Sequence, residues 1–433
     1  MNRRQFLKQS ARAAAGIGIA SGFPTIVSAS ALGRDGQIAP SNRIVMGAIG
    51  LGWMGEANMH SFLGKKRVQM IALCDVDRPL LDSQVKHVNK RYDNSDCVAY
   101  DDFREIIARK DLDAITIALP DHWHAIPAIM ATRAGLDVYG EKPLSRTLHE
   151  GRAMCNAVKQ HGRIWQTGSW QRSRDEFYRG VQLVRNGRIG KIRHVEVGLG
   201  GQVSDFGQVR EKDQPEKPPA GLNWDMWLGP APEHYYCQAI MPKNWRWIMD
   251  YGGGMLMDWV GHHVDIAHWG LDMDQTGPIE VEATATMLQG LWNVPVDFDV
   301  YCTYANGISL RISHTFAGGT KWIGDDGWVH VNRGSIDAHP KSLLNDVIGP
   351  EEIQVTKSTD HYDNFLDCVR SRTETITPCE TAHRSASVGH LGMIAIQTGR
   401  KIYWNPETET FTKPDPDAER LLSYNMRSPW TLS

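Results

Sequence analysis

Cysteine is scarce and unpatterned in this chain. Its seven residues (Cys74, Cys97, Cys155, Cys237, Cys302, Cys368 and Cys379) are odd in number, far apart, and show no C-x-x-C or zinc-ribbon spacing. That argues against a disulfide framework and against a cysteine metal site, and it fits folding in a reducing compartment. An excess of either charge is also missing: the formal net charge is −3, with no basic block. Nucleic-acid binding and a charged disordered tail are therefore not indicated. Beyond residue 31 there is no apolar run of 18 or more residues, so no membrane span is expected and the mature chain should be soluble.

What is present begins with an address. Asn2-Arg3-Arg4-Gln5-Phe6-Leu7-Lys8 precedes a weakly apolar stretch from Ala13 to Phe23, and small residues at Ser28-Ala29-Ser30-Ala31 offer a cleavage site. The two adjacent arginines resemble a twin-arginine export signal, and the apolar segment is too short and too rich in Gly and Ala for an anchor. The other reading is a basic amphipathic helix of the mature fold. The expected organisation is a signal at 1–31, a linker at 32–42, a first domain at 43–164 and a second at 165–433. With 433 residues, two domains of ordinary size are accommodated.

Arg43 to Ile49 reads as a buried strand, and it runs into Gly50-Leu51-Gly52-Trp53-Met54-Gly55. A G-x-G-x-x-G turn is weak evidence alone, but this one opens a helix and is followed by a second strand, Val68 to Cys74, ending in Asp75. Gly50 permits the tight turn, Gly52 lets backbone approach a pyrophosphate, and Gly55 allows helix and strand to pack closely. The helix N-terminus offers the phosphates its partial positive charge. Asp75 stands where a carboxylate would accept bonds from a ribose 2′-hydroxyl and repel a 2′-phosphate. NAD is thus favoured over NADP, although Arg78 is close enough to leave NADP open. Further alternation (a strand within Asp111–Pro120, a helix over Ala125–Ala134, a strand at Asp137–Gly140) predicts an α/β fold with a doubly wound parallel sheet.

The next residues are Glu141-Lys142-Pro143-Leu144. Together with the glycine turn and Pro120-Asp121-His122-Trp123-His124, they resemble the glucose-fructose oxidoreductase/inositol dehydrogenase (Gfo/Idh/MocA) family. A second signature, Gly252 to Asp265, matches the family's glycine-rich loop followed by Asp-x-x-x-His-x-x-Asp. Supporting stretches are Gln166 to Ser169, Trp224 to Pro230 and Asn244 to Trp247. The resemblance implies a Rossmann domain joined to an α/β domain with a large, mostly antiparallel sheet, whose open face commonly makes homodimer or homotetramer contacts. The strand-like runs Arg193–Leu199, Glu280–Met287, Asp297–Tyr304 and Ser309–His314 agree with it. Gln214 to Ala220 reads as an exposed loop.

Oxidising a secondary alcohol removes a hydride from carbon and a proton from oxygen; NAD can take the first and a positioned base the second. Asp258 and His262 are four residues apart, so on a helix they share a face and could meet. A carboxylate beside an imidazole raises its basicity and orients it. The resemblance implies Lys142, Asp258 and His262 as catalytic residues, His262 exchanging the proton and Lys142 bonding the reacting oxygen. It also implies a cofactor site of Gly50, Leu51, Gly52, Trp53, Met54, Gly55, Asp75, Pro120, His124, Glu141 and Lys142. Arg246, Tyr251, Gln171 and Arg172 are candidates to read substrate hydroxyls, and an Arg among aromatics can equally be a packed structural cation. His263 is expected to be structural. Asp258, His262 and His263 could hold a metal, but this chemistry needs none and none is expected.

Three readings follow. The first is an NAD-dependent oxidoreductase acting on a sugar, glycoside or polyol hydroxyl. The second is a glycoside-cleaving enzyme that oxidises transiently, eliminates the leaving group and returns the hydride, which calls for an additional base. The third is a non-catalytic sugar-binding protein. A periplasmic enzyme exported folded would meet little free NAD, so tight retention of the cofactor is expected. The 15 tryptophans, several between Trp224 and Trp269, could stack on sugar faces, but packing is their more ordinary use.

Overall fold

The computed structural model describes Ala39 and residues 42–432. The expected export signal lies outside the described residues. Six parallel strands build the first sheet: β1 (Ile44–Ile49), β2 (Val68–Cys74), β3 (Val98–Tyr100), β4 (Ala114–Ile117), β5 (Asp137–Gly140) and β6 (Trp165–Thr167). Their spatial order is β3-β2-β1-β4-β5-β6. Every residue of β1 is buried, as a central parallel strand with covered faces requires. The order reverses between β1 and β4, and ligands of such sheets bind at this switch point, beyond the carboxyl ends of the strands.

Local chemistry sets the helix ends. In Leu148–His161 the Thr147 side chain accepts the Glu150 N–H while the Glu150 carboxylate accepts the Thr147 N–H, and Gly162 ends the helix in the left-handed region. The first sheet continues past the expected boundary at Ile164, because β6 pairs with β5. A later segment also returns to it. Phe365, Leu366 and Val369, on the helix His361–Ser371, join the core around Met59, Phe62 and Tyr139. The C-terminal tail docks too, with the Trp430 ring 4.7 Å from that of Trp123. The covalent boundary is therefore not the packing boundary.

The second sheet comprises β7 (Ile192–Gly198), β8 (Glu280–Met287), β9 (Pro295–Thr303), β10 (Ser309–Ser313), β11 (Gly319–Gly324), β12 (Trp328–Asn332), β13 (Ser335–His339), β14 (Ile402–Asn405) and β15 (Thr410–Phe411). Its order is β13-β12-β11-β7-β10-β9-β8-β14-β15. All pairings are antiparallel except β7 with β10. Val195, Val197, Phe298, Val300, Ile312 and Trp322 turn inward from it and meet Phe177, Val181, Ile266 and Leu391 from the covering helices. The alternation in β12, where Val329 and Val331 are buried between less buried neighbours, is the period-2 pattern of a sheet with one covered face. Among the described residues no helix is long and apolar enough to cross a membrane.

Candidate active site

The strand ends of the first sheet open into a cleft whose other wall is the 226–258 region. Gly50, Gly52, Trp53, Met54, Asp75, Pro120, Asp121, Glu141, Lys142, Arg246 and Asp258 are among its lining residues. Gly50 has φ +82, and a Cβ there would fall 2.2 Å from the Ala118 carbonyl oxygen. A Cβ on Gly55 would fall 2.0 Å from the Gly50 carbonyl oxygen, whereas one on Gly52 would stand in open space. The first two glycines thus make the turn possible and the third keeps its outer side clear. The helix Trp53–Leu63 starts at Gly52 without a side-chain cap, leaving N–H groups for an anion.

At the far end of the cleft the Asp75 carboxylate accepts the Leu51 N–H at 2.7 Å and the Asp77 N–H at 2.9 Å. Burial nevertheless pushes its pKa up to about 6. Asp77 and Asp101 line the same end, and the nearby Arg78 is committed to Asp82 and Asp101. An uncapped helix start, clear space above Gly52 and a carboxylate bound to the turn together fit a dinucleotide.

Leu51 is fully buried and contributes its backbone N–H. His124 is not in the cleft wall. Its two ring nitrogens lie 2.7 Å from the Pro143 carbonyl and 2.8 Å from the Leu119 carbonyl, so it ties the Pro120 turn to the Lys142 loop. Glu141 accepts from Asn58 at 2.8 Å, and Asn58 in turn accepts from Tyr362 of the returning helix.

At the near end Lys142 Nζ donates to Asp258 Oδ1 at 2.9 Å and to its backbone carbonyl at 2.8 Å. Arg246 Nε reaches the same Oδ1 at 3.3 Å while its guanidinium stacks on Trp245. Burial pushes the Asp258 carboxyl up, but the two cations outweigh it and hold it below the ordinary carboxylate range. Asp258 is therefore a fixed anion that orients Lys142.

The expected Asp258–His262 contact is not formed. The α-helix Gly254–Trp259 passes into a π turn over Val260–Val264, which breaks the i, i+4 relation, and the carboxylate bonds go to Lys142 and Arg246. His262 lies outside the cleft wall, edge-on to Trp170 and Trp259. Burial, and then Lys142 and Arg333, push its pKa well below the ordinary value.

Of the substrate-reading candidates only Arg246 lines the cleft. Tyr251 is buried against His122 and Trp227. Gln171 is buried and accepts from Arg333 at 3.0 Å. Arg172, 2% exposed, is held by Asp265 and Asp274 and is a structural cation. Two cleft residues escaped the sequence reading. Lys243 places Nζ 4.2 Å from the Trp53 ring centre and pairs with no carboxylate among the described residues. Asp121 lies four residues beyond the end of β4, and that position at the switch point was the signal available for it.

Two family descriptions match: an oxidoreductase family NAD-binding Rossmann fold over residues 44–169, and an oxidoreductase family C-terminal alpha/beta domain over residues 177–432. The alpha-N-acetylgalactosaminidase of Shewanella oneidensis is 27% identical over 212 residues, covering 45% of this chain and 45% of that one. The chain thus spans less than half the length of the curated relatives it matches. Among solved structures, the WlbA dehydrogenase from Bordetella pertussis, in complex with NADH and UDP-GlcNAcA, aligns with TM-score 0.62 at 17% identity, over 84% of this chain and 99% of that one. The aldose-aldose oxidoreductase from Caulobacter crescentus, complexed with glycerol, aligns with TM-score 0.61 at 19% identity, over 83% and 99%. These likenesses share the fold. With both domain descriptions matched in order across nearly the whole described chain, the protein belongs to the Gfo/Idh/MocA family of NAD-binding oxidoreductases.

Proposed function

We propose that this chain is an NAD-dependent oxidoreductase that acts on a secondary hydroxyl of a sugar, glycoside or polyol and keeps its cofactor between turnovers. The observation that carries the reading is the convergence of Lys142, Asp258 and Arg246 at the near end of a cleft whose far end carries the glycine turn and Asp75. Bound NAD would supply the hydride acceptor. The chain's own residues do the rest. Lys142, oriented by Asp258, donates a hydrogen bond to the reacting oxygen and stabilises charge that develops there. Arg246 holds the same carboxylate oxygen and meets the substrate. His262, packed edge-on against Trp170 and Trp259, is the residue assigned to exchange the hydroxyl proton.

Asp75, Asp77 and Asp101 gather negative charge at the adenosine end, which disfavours a 2′-phosphate and supports NAD over NADP. Lys243 supports tight retention: a cation without a carboxylate partner, brought from the second domain over Trp53, reaches the dinucleotide turn. Export in the folded state by the twin-arginine route, delivery to the periplasm, and a homodimer or homotetramer built through the nine-stranded sheet complete the proposal.

A second reading is favoured by one finding, the relatives named glycosyl hydrolase family 109 protein and alpha-N-acetylgalactosaminidase. Under it the same site oxidises a glycoside transiently and eliminates its aglycone. One experiment separates the two. Protein purified without added nucleotide is mixed with a panel of glycosides and free sugars, while reduced-nicotinamide absorbance and aglycone release are followed together. A lasting absorbance rise with an oxidised sugar supports the dehydrogenase; aglycone release without net absorbance change supports the cleaving enzyme. Neither signal from any carbohydrate refutes both.

A further inference from the structure

The tip of the β12–β13 hairpin carries an arginine clamped between two aromatic rings. Asn332 pairs with Ser335 across the hairpin, so Arg333 and Gly334 form its turn, and the Gly334 N–H donates to Glu176 at 2.9 Å. The Arg333 guanidinium lies 4.4 Å from the ring centre of Trp170 and 4.5 Å from that of Trp259. His263 extends the stack, its ring 5.3 Å from Trp259 and nearly parallel to it.

This stack adjoins the reaction site. Both indoles that clamp Arg333 also flank His262, whose ring centre is 5.9 Å from Trp170 and 5.5 Å from Trp259. Trp259 follows Asp258 directly in the chain. Ser169, next to Trp170, donates its hydroxyl to the Gly261 carbonyl at 2.7 Å. Gly261 in turn packs so closely on Lys142 that a Cβ there would fall 2.9 Å from the lysine Cβ. The Arg333 charge accordingly acts on His262, and the Asp258 charge acts on Arg333. A carbohydrate whose reacting hydroxyl meets Lys142 and His262 would therefore bring another part of its ring toward Arg333.

Arg333 differs from the other arginines around it in having no counter-ion. Arg172 is held by Asp265 and Asp274, Arg174 by Glu176, and Arg246 by Asp258. Among the described residues no carboxylate pairs with Arg333, and its side chain makes a single hydrogen bond, from Nε to Gln171 Oε1 at 3.0 Å. Its Nη1 and Nη2 have no protein acceptor. Indole covers the guanidinium faces while the residue as a whole is exposed, so the edge formed by those two nitrogens is what stays open. Clamping the plane and tying Nε in advance reduces the freedom lost on binding. A planar guanidinium with a free edge matches the two oxygens of a carboxylate. Lys142 and Arg246 already share the one charge of Asp258, so no anion of the site is left over to neutralise Arg333.

We propose that Arg333 is a specificity-determining residue, and that the carbohydrate oxidised here carries a carboxylate, as a uronic acid or its glycoside does. The proposal rests on the oxidoreductase reading above and narrows its substrate class. The open edge of Arg333 pairs with the carboxylate, Trp170, Trp259 and Gln171 hold the guanidinium in place, and Lys142 and His262 are left to the reacting hydroxyl. A neutral sugar of the same shape leaves the cation unpaired and forgoes that bond.

The test uses the full chain as isolated with its cofactor, titrated calorimetrically with matched sugars: glucose and glucuronate, galactose and galacturonate, and the methyl glycosides of each. In at least one pair the acid should bind about 10–100-fold more tightly than its neutral partner, the range of a hydrogen bond to a charged group. That advantage should shrink as salt is raised. In Arg333→Gln the acid-to-neutral ratio should fall to near one. Arg333→Lys should keep only part of it, because the charge remains and the fork is lost. Thermal unfolding checks that both variants fold, and the ratio of kcat/KM values for reduction of bound cofactor should follow the binding ratio. Equal binding of acid and neutral sugars by the wild type in every pair overturns the proposal, as does a wild-type ratio in folded Arg333→Gln. A 6-sulfate ester of the same sugar bound more tightly than the uronate overturns the carboxylate assignment. If the uronate binds preferentially and no carbohydrate reduces the cofactor, the oxidoreductase reading fails while the role of Arg333 in reading the anion stands.

Discussion

Replacing Lys142 by Met probes the site in two independent ways. The substitution keeps an unbranched apolar stem and deletes the ammonium that donates to Asp258 at 2.9 Å. The two side chains are 12% and 23% exposed, so the pair sits between surface and core. Removing one partner of a fully buried pair costs about 3–5 kcal/mol, because a charge is left uncompensated. Here Arg246, at 3.3 Å from the same oxygen, retains part of the compensation, and a loss of about 2 kcal/mol is expected. Asp258→Asn alone should cost a similar amount by leaving two cations together.

The double variant should cost less than the sum of the two, and a thermodynamic cycle from chemical denaturation should give a coupling of about 2 kcal/mol. The sign with pH follows from Asp258. Its folded pKa lies below the unfolded value of about 3.9, so the pair's contribution is full at neutral pH and is lost only as pH falls through the folded value. In the same Lys142→Met protein, reduction of bound cofactor by substrate should fall about 10²–10³-fold, the effect of removing one donor to a developing oxyanion. Additive stabilities, or an unchanged reduction rate, would refute the reasoning.

Three other outcomes are expected. Lys243→Ala should leave unfolding unchanged but speed release of the bound dinucleotide about tenfold, close to 1.4 kcal/mol, measured by dilution into a nucleotide scavenger; an unaltered release rate would remove Lys243 from the cofactor site. Arg172→Met should destabilise the protein by about 3–5 kcal/mol, because Asp265 and Asp274 lose their buried partner, while bound cofactor is still reduced by substrate in whatever folds. Affinity for NAD, measured by equilibrium dialysis of the stripped protein, should rise with pH through about 6 as Asp75 ionises; a flat profile across that range would contradict a ribose-binding role for the ionised carboxylate.

The first sheet was legible because its physics is local. Apolar strands, a glycine turn and a carboxylate at the next strand end all lie within about 35 residues of one another, and each reports on its own conformation. The Lys142–Asp258 pair was half legible. Its residue types stood in recognisable motifs, but 116 positions separate them, and only the fold reveals that they bond to each other rather than Asp258 to His262. A helical i, i+4 rule assumes an uninterrupted α-helix, and nothing in the composition of Val260–Val264 signals the π turn that breaks it. Arg172 illustrates the opposite error. A charged residue near a signature looked like a ligand contact, while its partners Asp265 and Asp274, some 100 residues away, make it part of the core. The strands β11 and β12 carried a period-2 pattern in Thr320–Ile323 and Trp328–Asn332 that was open to reading. The docking of His361–Ser371 and of the tail onto the first sheet was not, because an amphipathic helix does not state which surface it will cover.

The account stands on hydride passing from a carbohydrate carbon to a nicotinamide held in this cleft, and isotope transfer tests that most directly. Protein purified without added nucleotide would be mixed with uniformly deuterated mono- and disaccharides, and the nicotinamide extracted and weighed. The account predicts bound NAD in the protein as isolated and a gain of one deuterium on the nicotinamide ring, lost when Lys142 is replaced by Met. Absence of any bound or bindable nicotinamide, or a cofactor that never acquires deuterium from any carbohydrate, would contradict it.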